Sequence, residues 1–498
     1  MDTSIARRLI VVALTLGLLA ELILDGPAYG VNIVILVGAI LAAGWLLRRR
    51  GRAPDPLDAW LPEAALALAA FVAVRGDPLM ALLDTTGALA FTGASIVAFS
   101  GLAVTRRSAS MIAMLGIMAI GASAFGVVRV GRWARLAPDP RSSRLPARLA
   151  PLGRGLLIGT PLALIFAVLF ASADPIFRRG MSDLVGWRID LGDFTGRILF
   201  VVACSWFAAG LLSVSAIGLP ELERSSLGAS ARTEPVLPAI SVGLTEALVV
   251  LVVIDLVVGL FVALQVAYLF GGQDTLVAAG MTYSDYARRG FLELVAAACL
   301  AGAVVVALET TVARRSRSYL AALLTLLALT AVVLVSGGLR LRLYQDAYGW
   351  TELRLYVFTT IVTLAASLAL MTALAFAGRM RWLGHGLAVI GVVALLGLNA
   401  IAPAAFVAAR NIERVVDPSL VAPGGHAGLD AGYLGVLPDD AVPVLVAALP
   451  GLPARERTEV LALLQMKKVV LATDPAFASP VSWNLGRERA RAALATLP

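Results

Sequence analysis

Long apolar runs separated by short polar or basic stretches set the pattern of this chain. They occupy residues 9–24, 28–47, 79–104, 108–130, 155–173, 197–219, 240–270, 290–310, 319–335, 355–377 and 384–407, with a shorter candidate at 60–74 that contains Glu63. About 20 helical residues cross the hydrocarbon of a bilayer, so most of these runs can span it. The pattern predicts an all-α fold, a polytopic transmembrane bundle of about twelve helices. The first run follows Arg7 and Arg8 as a signal peptide would, but no small-x-small cleavage site follows it. It reads as an uncleaved first helix.

After Asn411 the pattern changes: charged residues and prolines return, and apolar positions take helical spacing. Asp439, Asp440 and Pro443 open one short amphipathic helix, and residues from Pro453 open another that runs to about Lys468. Ser479 before Pro480 predicts an N-cap with proline at the first helical position, leading into a last helix with Trp483, Arg487, Arg489 and Arg491. Four regions are expected: N-terminal membrane helices over 1–130, an Arg-rich cytoplasmic loop over 131–154, a core bundle over 155–408 and a small helical C-terminal domain over 409–498. A domain that small leans on the membrane part for stability.

Basic residues orient the helices, because cytoplasmic loops retain Lys and Arg. That rule puts residues 129–154, 220–238, 314–317 and 379–381 inside. Residues 172–193, 271–289, 337–352 and everything after 408 then fall outside. The first half fits less simply. Residues 48–52 also mark the inside, yet three spans between 52 and 129 would put the two basic loops on opposite sides. Either the helix at 60–74 lies in the interface or one short pair of runs does not span as two helices.

Composition agrees with lipid as the solvent: 59% of the 498 residues are hydrophobic and 15% charged, against about 25% charged in soluble chains. The net charge of +8 is explained by topological arginine, not by a nucleic-acid partner. Cys204 and Cys299 both lie inside apolar runs, and histidine is limited to His385 and His426. No Walker A loop, Gly-x-Gly-x-x-Gly, His-Glu-x-x-His, Gly-x-Ser-x-Gly or Cys-x-x-Cys motif occurs. No catalytic, cofactor-binding or metal-ligating residue is therefore expected.

Ionisable residues inside a membrane must face protein or water. Glu246 and Asp255 are the leading intramembrane candidates, nine positions apart and so on roughly opposite faces of one helix. Asp84, Glu293, Glu309, Asn399 and His385 are further ones. More specific are the outer patches: Asp174; Tyr283, Asp285, Tyr286, Arg288 and Arg289 ahead of Glu293; Tyr344, Asp346, Tyr348 and Arg354; and Asn411 with Arg414. Charged and aromatic residues alternate with period two over 340–356, although Tyr344 and Tyr348 also fit a helical turn. These patches read either as an outer pocket for a polar or anionic small molecule or another membrane protein, or as an aromatic belt with salt bridges that docks the tail.

Five motifs carry a family resemblance: Ser172-Ala-Asp-Pro-Ile-Phe177, Tyr283-x-x-Tyr-Ala-Arg-Arg-Gly-Phe291, Arg342-Leu-Tyr-x-x-x-Tyr-Gly-x-Thr351 with Arg354-Leu-Tyr356, Asn411-Ile-x-Arg414, and Leu429-Asp-x-x-Tyr-Leu434. In this order they resemble the bacterial multi-pass family called domain of unknown function 4173, related to the 4153 group, over residues 150–498. The resemblance implies a protein of the bacterial cytoplasmic membrane with no assigned biochemical role, and it brings no catalytic residues. The expected function is non-enzymatic: sensing, scaffolding or regulation through the outer cluster, with the tail extracytoplasmic. A transporter or lipid flippase using Glu246 and Asp255 is the alternative. A lipid-linked sugar transferase using Glu21 and Asp25 is a lesser one.

Overall fold

The computed structural model describes residues 3–24, 28–48, 53–133, 192–217, 243–270, 291–312, 316–421 and 428–497. Among them the chain forms sixteen α-helices and no strand. The membrane part runs α1 (Thr3–Leu24), α2 (Val31–Leu47), α3 (Trp60–Val74), α4 (Pro78–Phe99), α5 (Ala109–Trp133) and α6 (Gly192–Ile217), then α7 (Leu244–Phe270), α8 (Phe291–Thr311), α9 (Arg317–Tyr348), α10 (Glu352–Phe376) and α11 (Leu383–Ile401). The tail holds α12 (Pro403–Val416), α13 (Ala431–Val436), α14 (Val442–Ala448), α15 (Ala454–Ala472) and α16 (Leu485–Ala495).

Among the described residues, six segments are long and apolar enough to cross a membrane: Pro56–Val74, Pro78–Phe99, Leu244–Leu264, Arg317–Tyr348, Glu352–Phe376 and Met380–Ile401. Shorter apolar stretches occur in α2, α5, α6 and α8. On α7, Leu256, Val257 and Leu260 are each more than 60% exposed. A helix apolar on every side is stable only where its surroundings are apolar too, as they are in a lipid bilayer.

The chain divides into two compact units. In the first, residues 1–21 and 123–210, α1 and α6 touch at Gly17, where a Cβ would lie 2.0 Å from Ser205 Oγ. Trp206 Nε1 donates to the Ala124 carbonyl at 2.6 Å, and Arg197 pairs with Glu21 at 3.3 Å.

In the second unit, residues 22–122 and 211–498, α2, α3 and α4 pack as one group, while α9 gathers α7, α8 and α10 around it. Tyr319, Leu323, Leu326 and Leu341 of α9 are almost wholly buried in that second core. Helix α11 packs on α10 and also on α3 and α4, joining the two groups. Helix α3 thus packs among α2, α4 and α11 as a member of the bundle.

Three local expectations are corrected. The polar residues after Val335 do not end a helix or form a strand: α9 continues to Tyr348, and the period-two alternation is coincidental. The Tyr344 and Tyr348 rings, one turn apart, meet edge-on at 5.1 Å. The last membrane helix stops earlier than its hydropathy suggests, because Ala402 adopts φ 54 and Pro403 starts the amphipathic α12. Ser479 does not cap the final helix; it precedes a short 3-10 turn, and Asn484 caps α16 by accepting from Arg487 N at 3.1 Å.

Candidate functional site

The α9–α10 corner and the tail build one site. Helix α9 ends at Gly349, whose N–H donates to the Gln345 carbonyl at 2.8 Å. Gly349 has φ 79, and a Cβ there would stand 2.7 Å from Asn411 Oδ1. Glycine is required on both counts. Asn411 on α12 binds the whole backbone of Trp350: Oδ1 accepts from its N–H and Nδ2 donates to its carbonyl, each at 2.8 Å. The Trp350 indole then packs edge-on against Phe406 of α12, ring centres 5.0 Å apart.

Arg414, one turn further along α12, is 8% exposed. Its guanidinium donates to the carbonyls of Asp346 at 2.9 Å and of Gln345 and Ala347 at 3.4 Å. These are carbonyls of the last turn of α9; that of Gln345 also accepts from Gly349 N, while those of Asp346 and Ala347 lie past the helix's own ladder, and a cation there also meets the negative end of the helix dipole. Burial, with Arg354 nearby, pulls the Arg414 pKa below its ordinary value, opposed by Asp346. Arg354 donates to the Gly349 carbonyl and lies 3.9 Å over the Tyr344 ring. From the tail, Tyr433 Oη accepts from Glu352 N at 2.8 Å. Four predicted residues (Tyr344, Arg354, Asn411, Arg414) are thus clamps on backbone and ring, and Asp346 contributes its carbonyl.

Beside the clamp opens a cavity of about 790 Å³. Tyr348, Trp350 and Arg354 line it from the bundle, and Asp430, Tyr433, Arg455, Glu456 and Glu459 from the tail. Its charges are mixed, and Arg455 already pairs with Glu459 at 3.1 Å. A purely anionic pocket is not what the residues make.

A second contact, unforeseen in the sequence, joins the tail to the α3–α4 turn. Asn484 Nδ2 donates to the Val72 carbonyl at 2.8 Å and the Arg75 carbonyl at 2.7 Å. Gly76 N donates to Asp440 Oδ1 at 3.1 Å. Asp77 caps α4 through Leu79 N and Met80 N, and its other oxygen accepts from Tyr356 Oη at 3.1 Å. Burial pushes the carboxyls of Asp439 and Asp440 above the usual carboxylate range. It pulls Lys467, 3.7 Å from Asp439, below the usual amine value.

The remaining candidates scatter. Glu246, in the first turn of α7, is exposed and accepts from Gly243 N at 2.9 Å. Asp255 is half-buried further along α7. Glu309 accepts from Tyr319 Oη at 3.0 Å, and His385 packs edge-on against Trp60. Asp84 and Asn399, read separately in the sequence, meet at 2.8 Å. Asp174, Tyr283, Asp285, Tyr286, Arg288 and Arg289 lie outside the described residues, as does Asp25, and of Glu293 only the backbone is described. No group of three or more His, Cys, Asp or Glu residues suited to a metal ion occurs among the described residues.

Fold and site define a multi-pass, all-α membrane protein with a docked helical tail. The family model of a domain of unknown function, DUF4153, matches residues 63–448, and the chain belongs to that family. The match is to the 4153 group, not the 4173 group that the motifs resemble. It reaches into the N-terminal helices and ends inside the tail, where the resemblance began near residue 150 and ran to the end. No curated protein and no solved structure matches the chain.

Proposed function

We propose that this is a non-enzymatic sensing or regulatory protein of the bacterial cytoplasmic membrane, with the tail on the extracytoplasmic side. Its receptor site is the groove between the α9–α10 corner and the tail. The observation that carries the reading is the shared lining: Trp350 and Arg354 on one wall face Asp430, Arg455 and Glu456 on the other. An occupant would touch bundle and tail together, so its binding free energy would act on their junction. The mixed charges suit a polar, zwitterionic small molecule or a polar segment of another membrane protein. Ligand sites commonly combine a few placed polar groups with aromatic walls in this way.

The test uses Arg455→Ala and Glu456→Ala, which alter the groove without touching the clamp. Both variants should reach the membrane with an intact tail by limited proteolysis, yet fail to restore a deletion strain's phenotype. Full complementation by the double variant would remove the groove from the function.

A further inference from the structure

We propose that Asp84 and Asn399 form a proton-binding site inside the bundle, whose occupancy sets the hold of the tail on the α3–α4 turn. Both side chains are 0% exposed. Asn399 Nδ2 donates to Asp84 Oδ1 at 2.8 Å and to its own helix at the Leu395 carbonyl, 3.0 Å away. Both amide hydrogens are therefore engaged. What remains is two buried acceptors, Asp84 Oδ2 and Asn399 Oδ1, with no hydrogen-bond partner. Burying one unpaired polar atom costs about 1–3 kcal/mol, and more where it bears charge. Two acceptors and no donor mean that the pair is one hydrogen short.

A proton on Asp84 supplies that hydrogen. A carboxylic acid and a primary amide pair through two antiparallel hydrogen bonds, N–H to O=C and O–H to O=C. The first is already in place. Protonation makes Oδ2 a donor toward Asn399 Oδ1 and removes the charge from a segment that crosses the membrane, where charge is expensive.

Among the described residues the charges that act on Asp84 are those of Arg75 and Asp77, the latter held by Tyr356 of α10. Arg75 at the end of α3 donates to the Asn399 carbonyl, and its buried Nε has no partner. Asp77 stands at the start of α4. Helix α2 has no ionisable residue between Val31 and Leu47. Glu63 of α3 and His385 of α11 lie at the opposite ends of their helices.

Arg75 gives the site its reach. Its side chain holds Asn399, while its own carbonyl accepts from Asn484 and the next residue's N–H donates to Asp440. A charged Asp84 competes with the Asn399 carbonyl for the Arg75 guanidinium. Drawing that group inward pulls on the turn the tail grips. Loading the proton leaves Arg75 where the tail holds it.

The test uses the full chain in lipid nanodiscs. Asp84→Asn mimics the loaded site, because two primary amides pair as the acid and amide do. Infrared difference spectra of the wild type should show a protonated-carboxyl band that disappears as pH rises and is absent from Asp84→Asn. Amide exchange at residues 75–77 is then compared between the two proteins at one pH at a time, so that intrinsic rates cancel. The two should match at acid pH, and the variant should exchange at least threefold more slowly at alkaline pH. Should Asp84→Asn not fold, Asn399→Ala retains the carboxyl without its partner and should shift the band and its midpoint. The proposal is overturned by a wild type with no such band, by equal exchange at every pH, or by sodium at constant pH slowing exchange in the wild type, which would make the site a cation site.

Discussion

Asn484 in the tail donates its side-chain amide to the carbonyl oxygen of Arg75, 2.7 Å away and 409 positions earlier in the chain. The same amide holds the Val72 carbonyl, and its oxygen caps α16. One side chain thus ends a membrane helix and starts a tail helix. Removing it as Asn484→Ala deletes three hydrogen bonds at a buried site, a loss of about 2–4 kcal/mol. Thermal unfolding should show the tail separating at lower temperature. Asn484→Asp keeps the cap but sets a carboxylate against two carbonyls, so it should be at least as damaging. A mild Asp variant would mean that only the cap matters.

Backbone proximity makes a second prediction at the same joint. A Cβ on Gly486 would lie 2.3 Å from Asp440 Oδ1 and 2.4 Å from Gly76 N. Neither can retreat without breaking the hydrogen bond between them. Gly486→Ala should cost about 1–3 kcal/mol or more, read as faster proteolysis of the tail in folded protein. Gly451→Ala, which meets nothing within 4 Å, should leave the rate unchanged. Equal behaviour of the two variants would argue against the tight approach.

Most membrane helices were legible because hydropathy and length report directly on the solvent around a helix, as α4, α7 and α10 show. What hydropathy cannot report is where a helix stops once its residues turn polar. Arg340, Arg342 and Gln345 lower the local hydropathy but break no backbone hydrogen bond, so α9 runs on to Gly349. The residues of the clamp were also legible, their partners less so. A guanidinium aimed at helix carbonyls and one aimed at an anion look alike in sequence, and Arg414 was open to either reading. Asn484 gave no periodic signal at all; its significance rests on a contact across most of the chain. Asp84 and Asn399 were each visible as costly intramembrane groups, while their pairing required the packing of α11 against α4.

The clamp reading of Arg414 and Asn411 makes its own prediction in protein without ligand. Arg414→Lys keeps the charge but cannot span three carbonyls with a planar fork, and Asn411→Ala strips both partners from Trp350. Each should destabilise the purified protein by about 1–3 kcal/mol. Residues that only bound a ligand would leave the ligand-free unfolding midpoint in place, and an unchanged midpoint for both variants would restore the binding role.

The charged joint also predicts how docking responds to pH. Asp439 and Asp440 have folded pKa values raised by burial, so the undocked state holds their protons less tightly. Their contribution is full below the ordinary carboxylate pKa of about 4 and is lost as pH rises through the folded values. Lys467, lowered by burial, acts in the opposite sense: its contribution is present above the ordinary lysine value and lost as pH falls through the folded one. Acidifying from neutrality toward about pH 5 should raise the tail's unfolding midpoint wherever the two carboxyls titrate and Lys467 is already charged. Asp440 Oδ2 is buried without a hydrogen-bond partner, so Asp440→Asn should flatten that rise while keeping an acceptor for Gly76 N. A midpoint that falls steadily over the same interval in the wild type would show that these carboxyls are better solvated in the docked tail than their burial requires.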